Sequence, residues 1–374
     1  MITGSVVTKR KLTPDLARGF MLLFIALAHA NQLIILEGRE ITFIDQLTVF
    51  YRQVFIDGRA FPLFAILFGY GLHQVLKGQE RRGNSWKDTK KLYRLRGVWM
   101  LLIGFFHATL FFADIIGVYG FIALIFVGFF LRLSNRKIII IAVACLILVA
   151  VFAPFMPRGF DALNTLVTTS ATIKDPIEAS ITRMFEWIFY TPILSYQVIP
   201  GVLIGILVAR FQIIDNPRNH KMALCTVAVL GLLLSTAGGI PMALMSSLFW
   251  TSYNDVWGVT AKSLHTITGY AGGLGWTALI GLVVIKLENN RGMFSKAIAA
   301  LGQRSLSFYL FQSIIFVIIL APYAGGLGGK ISQLESDLIG IMVWVLSLIV
   351  ANYMQYRSIS GPFETFLRKK SVVS

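Results

Sequence analysis

The sequence predicts an all-α protein, a polytopic integral membrane helix bundle of about ten transmembrane helices with both termini on the inner side. Composition, the length of the apolar runs and the placement of basic residues carry that prediction. Of the 374 residues, 56% are hydrophobic and 14% charged, whereas a soluble domain is about 25% charged. A soluble fold of this size would lack the polar side chains to cover its core, but a bilayer covers apolar side chains itself. The net charge of +16 would point to nucleic acid in a soluble protein. Beside membrane spans the same excess holds loops against anionic lipid, so membrane lipid is the expected partner and nucleic acid is excluded.

A crossing takes about 20 mainly apolar residues. Such runs fall at 17–36, 60–76, 97–113, 115–133, 138–156, 187–209, 222–249, 265–285, 305–327 and 338–356. The seventh is long for one crossing and contains Gly238-Gly239-Ile240-Pro241, a place for a kink or a break. No soluble domain is visible. The chain reads as one membrane domain, with residues 1–16 as an inner N-terminus, 17–356 as the bundle and 357–374 as an inner tail. The longest exposed segments, 37–59 and 157–186, fall on the outer side. In the second, Ile181, Met184, Phe185 and Ile188 have the spacing of a short interfacial helix. No internal repeat is visible, which disfavours the inverted-repeat transporters.

Lysine and arginine set the orientation. Of 34 such residues, only Arg39, Arg52, Arg59, Arg158, Lys174, Arg183, Lys262 and Lys330 fall on the outer side. Residues 1–30 share features with a secretory signal, including Ala26-Leu27-Ala28, but the apolar run continues to Leu36 and reads as a span. Cys145 and Cys225 each sit inside an apolar run, which excludes a disulfide framework and a cysteine-based zinc site.

A titrating group at membrane depth is costly, so each one is a candidate functional residue. His220 falls in a loop, and His73 lies near the inner end of span two, where it can snorkel. His29 and His107 fall near mid-depth in spans one and three. Arg18 and His29 are 11 residues apart, three helical turns and about 16 Å, on nearly one stripe. Asp15, one turn before Arg18, falls near that stripe and is placed to pair with it. Asp114 closes a tight hairpin seven residues after His107. On a continuous helix that is two turns, too far for direct contact. Tyr119 follows on span four. Asp57 and Arg59 flank Gly58 at the outer start of span two, where Asp57 reads equally as a helix cap before Pro62 or as part of a site. Gln197 and Gln312 are uncharged polar groups near mid-depth, suited to joining helices. No metal site is expected, because no two histidines share a helix at i, i+3 or i, i+4 and no acidic cluster lies within a span.

These residues carry a resemblance. Arg18-Gly-Phe, Phe55-Ile-Asp-Gly-Arg-Ala-Phe-Pro-Leu-Phe-Ala-Ile-Leu-Phe-Gly-Tyr-Gly71, Gly104-Phe-Phe-His107 with Asp114 and Tyr119, Gly302-Gln-Arg-Ser-Leu-Ser-Phe-Tyr-Leu-Phe-Gln-Ser313 and Gly361-Pro-Phe-Glu-x-x-x-Arg368 resemble the YeiB family across nearly the whole chain. That family consists of bacterial multi-pass membrane proteins often labelled transporters, which implies a bacterial plasma membrane. YeiB-like proteins are in turn distantly similar to transmembrane acyltransferases, whose bacterial members carry a basic residue, ten intervening residues and a histidine in their first span. Arg18 and His29 have that spacing. Many YeiB-like sequences have asparagine at the histidine position, and here this chain departs from them toward the enzyme group.

The resemblance implies a transferase that moves an acyl group from cytoplasmic acyl-CoA or acetyl-CoA to a small-molecule, lipid or glycan acceptor on the outer side. Arg18 and Asp15 would lie at the donor's phosphates, His29, His107 and Asp114 at the chemistry, and Asp57, Arg59, Tyr119, Gln197 and Gln312 along the acceptor's path. The rival reading is a proton-coupled or facilitative small-molecule transporter using the same histidines and Asp114. A homo-oligomer is compatible with either.

Overall fold

The computed structural model describes residues 11–35, 40–155, 169–287 and 292–371. All regular structure among them is helical: α1 (Leu12–Asn31), α2 (Phe43–Phe55), α3 (Ala60–Arg81), α4 (Trp86–Leu110), α5 (Ile116–Ile125), α6 (Val127–Phe130), α7 (Asn135–Phe152), α8 (Pro176–Arg210), α9 (Lys221–Ser246), α10 (Asp255–Leu287), α11 (Met293–Gly302), α12 (Ser305–Leu320), α13 (Gln333–Tyr356) and α14 (Pro362–Lys370). Short polar side chains start many of these helices by accepting the orphan N–H groups of the first turn. Ser85 caps α4, Ser134 caps α7 and Asp175 caps α8. Thr42 with Asp45 and Ser332 with Glu335 form reciprocal capping boxes on α2 and α13.

Among the described residues, seven stretches are long and apolar enough to cross a membrane, or eight if the bent pair α11 and α12, which meet at 88°, counts as one. A helix occupies each of the ten predicted runs. The third and fourth do not reach that standard, because α4 spends its first turns on basic residues and α5 is only 10 residues long. The chain is therefore a multi-pass membrane protein. The large apolar side chains left exposed on α7, α9 and α13, such as Ile147, Leu233 and Ile349, agree with a bilayer around it.

Four expectations change. The described part of segment 37–59, from residue 40 on, is not exposed throughout: a capping box starts α2, which buries Asp45, Arg52 and Gln53 and turns Phe43, Ile44 and Leu47 outward. Ile181, Met184, Phe185 and Ile188 belong to no separate interfacial helix, since α8 runs unbroken for 35 residues through Pro192 and Pro200. Span seven is not broken at Gly238–Pro241, because α9 continues through Pro241. Its glycines make room for neighbours instead: a Cβ on Gly239 would stand 2.2 Å from the Arg59 guanidinium. Asp57 does not cap α3, whose N-cap is Arg59. Leu36, the basic residues Lys9, Arg10, Arg39, Arg158 and Arg291, and positions 157–168 lie outside the described residues.

Two large apolar cores hold most of the buried side chains among the described residues. One gathers α1, α3, α10, α11, α12 and α13, and the other gathers α3, α4, α5, α7 and α8. Very close backbone approach ties α3 to α8, where a Cβ on Gly69 or Gly205 would stand 2.0 Å from a carbonyl oxygen of the opposite helix. Phe64 and Met100 pack against both cores and mark the seam between them.

Candidate functional site

His29 and His107 reach one place from different helices. His29, in the last turn of α1, packs against the rings of Phe111 (4.7 Å between centroids) and Tyr309 (5.5 Å). His107, near the end of α4, packs against the same two rings at 6.0 and 5.2 Å. Both imidazoles are buried, with 8% and 4% of their residues' surface exposed.

The hairpin between α4 and α5 sets the geometry. α4 stops at Leu110 and Phe111 takes an extended conformation, so the chain turns back. Asp114 then faces His107, with Oδ1 2.9 Å from Nδ1. This corrects the expected separation, which assumed helix beyond Leu110. The carboxylate also accepts the amides of Ile116 (3.2 Å) and Gly117 (2.7 Å), anchoring the start of α5, and the indole N–H of Trp187 from α8 (2.9 Å). Four donors converge on it and hold it rigidly. Tyr309 of α12 clamps the hairpin from the other side, its hydroxyl donating to the Ala113 carbonyl at 2.7 Å.

A carboxylate beside Nδ1 of His107 favours the tautomer that carries its hydrogen there, which leaves the lone pair on the other ring nitrogen. That atom, Nε2, is buried with no partner, as is Nδ1 of His29. An imidazole backed by a carboxylate and free at its second nitrogen is suited to taking and returning a proton. Tyr119 stacks on Phe64 and Phe68 at 5.3 and 4.4 Å, and its buried hydroxyl has no partner. Gln312, one turn after Tyr309, donates to Ser347 Oγ at 3.4 Å and leaves its buried carbonyl oxygen unpartnered.

The other sequence candidates lie elsewhere. Arg18 is a quarter exposed, 4.0 Å from Asp15, and donates to the Leu67 carbonyl of α3. The Gln197 side chain donates to the Tyr196 hydroxyl, and its main-chain carbonyl accepts from Tyr270, so these contacts do not reach the histidines. Asp57 pairs with Arg52 at 2.9 Å in a second buried network, where Arg52 also bonds Gln333 (3.0 Å) and stands 3.7 Å from Asp337. Asp337 accepts in addition from Asn31 and Tyr51. Beside this network the fully buried Arg59 donates to the Asp57 carbonyl, to Ser235 Oγ and to the Ser235 carbonyl, and touches His265.

Sequence reasoning missed Trp187, Tyr309, Arg52 and His265. Trp187 and Tyr309 carry no charge and gave no signal of membrane-depth cost, although Tyr309 lies inside a motif quoted above. Arg52 counted only as an outer-loop charge, and His265 was passed over although it lies within the predicted span eight. No group of three or more His, Cys, Asp or Glu residues able to hold a metal ion occurs among the described residues.

Residues 208–373 match the family described as "Protein of unknown function (DUF418)". The chain is 24% identical over 401 aligned residues to "Uncharacterized protein YxaH" of Bacillus subtilis (strain 168), covering 96% of this chain and 94% of that protein. It is 26% identical over 357 residues to "Uncharacterized 39.9 kDa protein in amylase 3'region" of Bacillus acidopullulyticus, covering 94% and 91%. The C-terminal part of the chain thus carries the DUF418 pattern, which is the level at which the YeiB-like resemblance stands. The expected similarity to acyltransferases has only the spacing of Arg18 and His29 behind it and is not carried by these matches.

Proposed function

We propose that this protein transfers an acyl group from a cytoplasmic acyl-CoA to a hydroxyl or amine on the outer side of a bacterial plasma membrane. One observation supports this reading above the others: the Asp114–His107 pair, with Nε2 unpartnered, facing His29 across Phe111 and Tyr309. In the proposed reaction His107 Nε2 removes the proton from the acceptor as its oxygen or nitrogen attacks the thioester carbonyl. The carbon–sulfur bond breaks, and the thiolate takes that proton from the imidazolium. Asp114 stabilises the imidazolium while it exists. The unpartnered polar atoms of His29 and Tyr119 then stand beside the path of the acceptor. Both termini and the basic loops face the donor in this orientation.

The test is direct. Purified protein in nanodiscs is incubated with acetyl-CoA labelled in the acetyl group, and transfer or hydrolysis is followed. Turnover that disappears in both His107→Ala and His29→Ala supports the reading, and full turnover in both variants removes it.

A transport reading draws on a different observation, the buried Arg52–Asp57–Asp337 network within the bundle. Ionisable residues buried within a membrane helix bundle often mark substrate or proton pathways in transporters. Saturable uptake into vesicles without acyl-CoA turnover would favour it.

A further inference from the structure

α4 repeats the spacing seen in α1. Arg96 and His107 are 11 residues apart, so they lie three turns apart on one stripe at about 16 Å. The Arg96 side chain is half-buried, with its Nε fully buried and unpartnered. Tyr93 stands one turn before it on α4, and Arg368 stands on α14, which packs against α4. Tyr93 is committed elsewhere, donating to the Leu72 carbonyl at 2.6 Å. One turn on from Arg96, the Trp99 ring meets Phe366 at 5.1 Å and carries Lys370 Nζ 5.6 Å above it. α14 therefore lies against this end of α4 and brings Arg368 and Lys370 to it.

Arg96 on α4 and Arg368 and Lys370 on α14 thus lie on two packed helices, and among the described residues none of them has a carboxylate within ion-pair distance. The nearby acids are occupied. Glu364 caps α12 through the amides of Leu306 and Ser307, and Glu80 pairs with Lys77. Like charges carried on neighbouring helices repel one another until an anion comes between them. A guanidinium fork, an ammonium and an indole wall suit a phosphate joined to an organic body.

We propose that Arg96, Arg368 and Lys370, with Trp99 as a wall, form a phosphate-binding site at the basic end of α4, in register with His107. The site deepens the acyl-transfer reading and rests on it for the direction in which the ligand extends. The same phosphate chemistry occurs in coenzyme A and in the head group of an anionic phospholipid, so the test must separate them.

Protein in phosphatidylcholine nanodiscs is titrated with radiolabelled coenzyme A and, in a second arm, with fluorescent phosphatidylglycerol. Both arms use wild type, Arg96→Gln, Arg96→Lys and Arg368→Gln. The expected result is a loss of coenzyme A affinity of at least about tenfold in Arg96→Gln, partly restored in Arg96→Lys, with a smaller loss in Arg368→Gln. Arg368 is exposed, so its variant tests the site even if Arg96→Gln folds poorly. If phosphatidylglycerol binding falls instead and coenzyme A does not bind, the phosphate site stands with lipid as its occupant, and the acyl-CoA reading is weakened. Unchanged binding of both ligands in all variants overturns the site, whatever turnover the histidine variants show.

Discussion

His107 Nδ1 and Asp114 Oδ1 stand 2.9 Å apart although an unbroken helix would separate these residues by two turns. The contact exists because α4 ends at Leu110 and the chain folds back before α5 begins. One carboxylate thereby caps a helix start, receives an indole and orients an imidazole. Structure and chemistry are joined at that residue, so substitutions there should separate only partly.

Asp114→Asn tests the chemical part. Asparagine keeps the size of the side chain but supplies one acceptor oxygen where the carboxylate supplies two, and it carries no charge to stabilise an imidazolium. The expected fall in acyl transfer is about 10²–10⁴-fold, and coenzyme A binding should change little. Turnover measured beside equilibrium binding checks this. A variant with wild-type turnover would remove Asp114 from the reaction.

Gly117→Ala tests the packing beneath the site. An added Cβ would lie 2.5 Å from Trp187 Cζ2 and 2.8 Å from Asp114 Oδ2. Overpacking of this kind costs about 1–3 kcal/mol, and it would push Trp187 off the carboxylate. The expected outcome is a lowered thermal midpoint in detergent together with a red-shifted tryptophan emission. An unchanged midpoint would mean that the hairpin tolerates the methyl group.

Much of this arrangement was legible in the sequence, for physical reasons. Ten apolar runs are visible because a bilayer demands them, and a helix occupies each. His29 and His107 stood out because a titrating group at depth is expensive. The Asp114 contact was hidden, since reading it required knowing where α4 ends. Trp187 and Tyr309 act through an N–H and an O–H on apolar rings, and no hydropathy pattern separates them from ordinary core aromatics. Of the basic residues assigned outside, Arg52, Arg59 and Arg183 are buried in the bundle.

Arg52→Gln tests the second network. Arg52 and Asp57 are both buried, and removing the cation leaves Asp57 without its ion-pair partner and Asp337 without a nearby cation. Breaking a buried pair in this way costs about 3–5 kcal/mol, whereas the double variant Arg52→Gln, Asp57→Asn should recover part of the loss. Thermal midpoints of the two variants, compared with wild type, give the coupling. A single variant as stable as wild type would show that the pair adds nothing to the fold.

The orientation makes a prediction that needs no ligand. If the basic side is cytoplasmic, Arg82 before α4 and Ser360 before α14 lie inside, while Ser252 before α10 and Lys330 before α13 lie outside. Single cysteines at these four positions, in a chain with Cys145→Ala and Cys225→Ala, can be labelled in intact cells by a membrane-impermeant maleimide. Cys225 is exposed on α9 and has to be removed to keep the background low. Ser252→Cys and Lys330→Cys should react in intact cells, and Arg82→Cys and Ser360→Cys only after permeabilisation. The reverse pattern would turn the protein over and place the Arg96 site outside, where coenzyme A does not reach it. A mixed pattern, with Arg82 and Ser360 on opposite sides, would show that one of the helices between them does not cross. The short α5 and the bent pair α11 and α12 are the places where that failure would be sought first, because neither single helix is long enough to span the hydrocarbon core unaided.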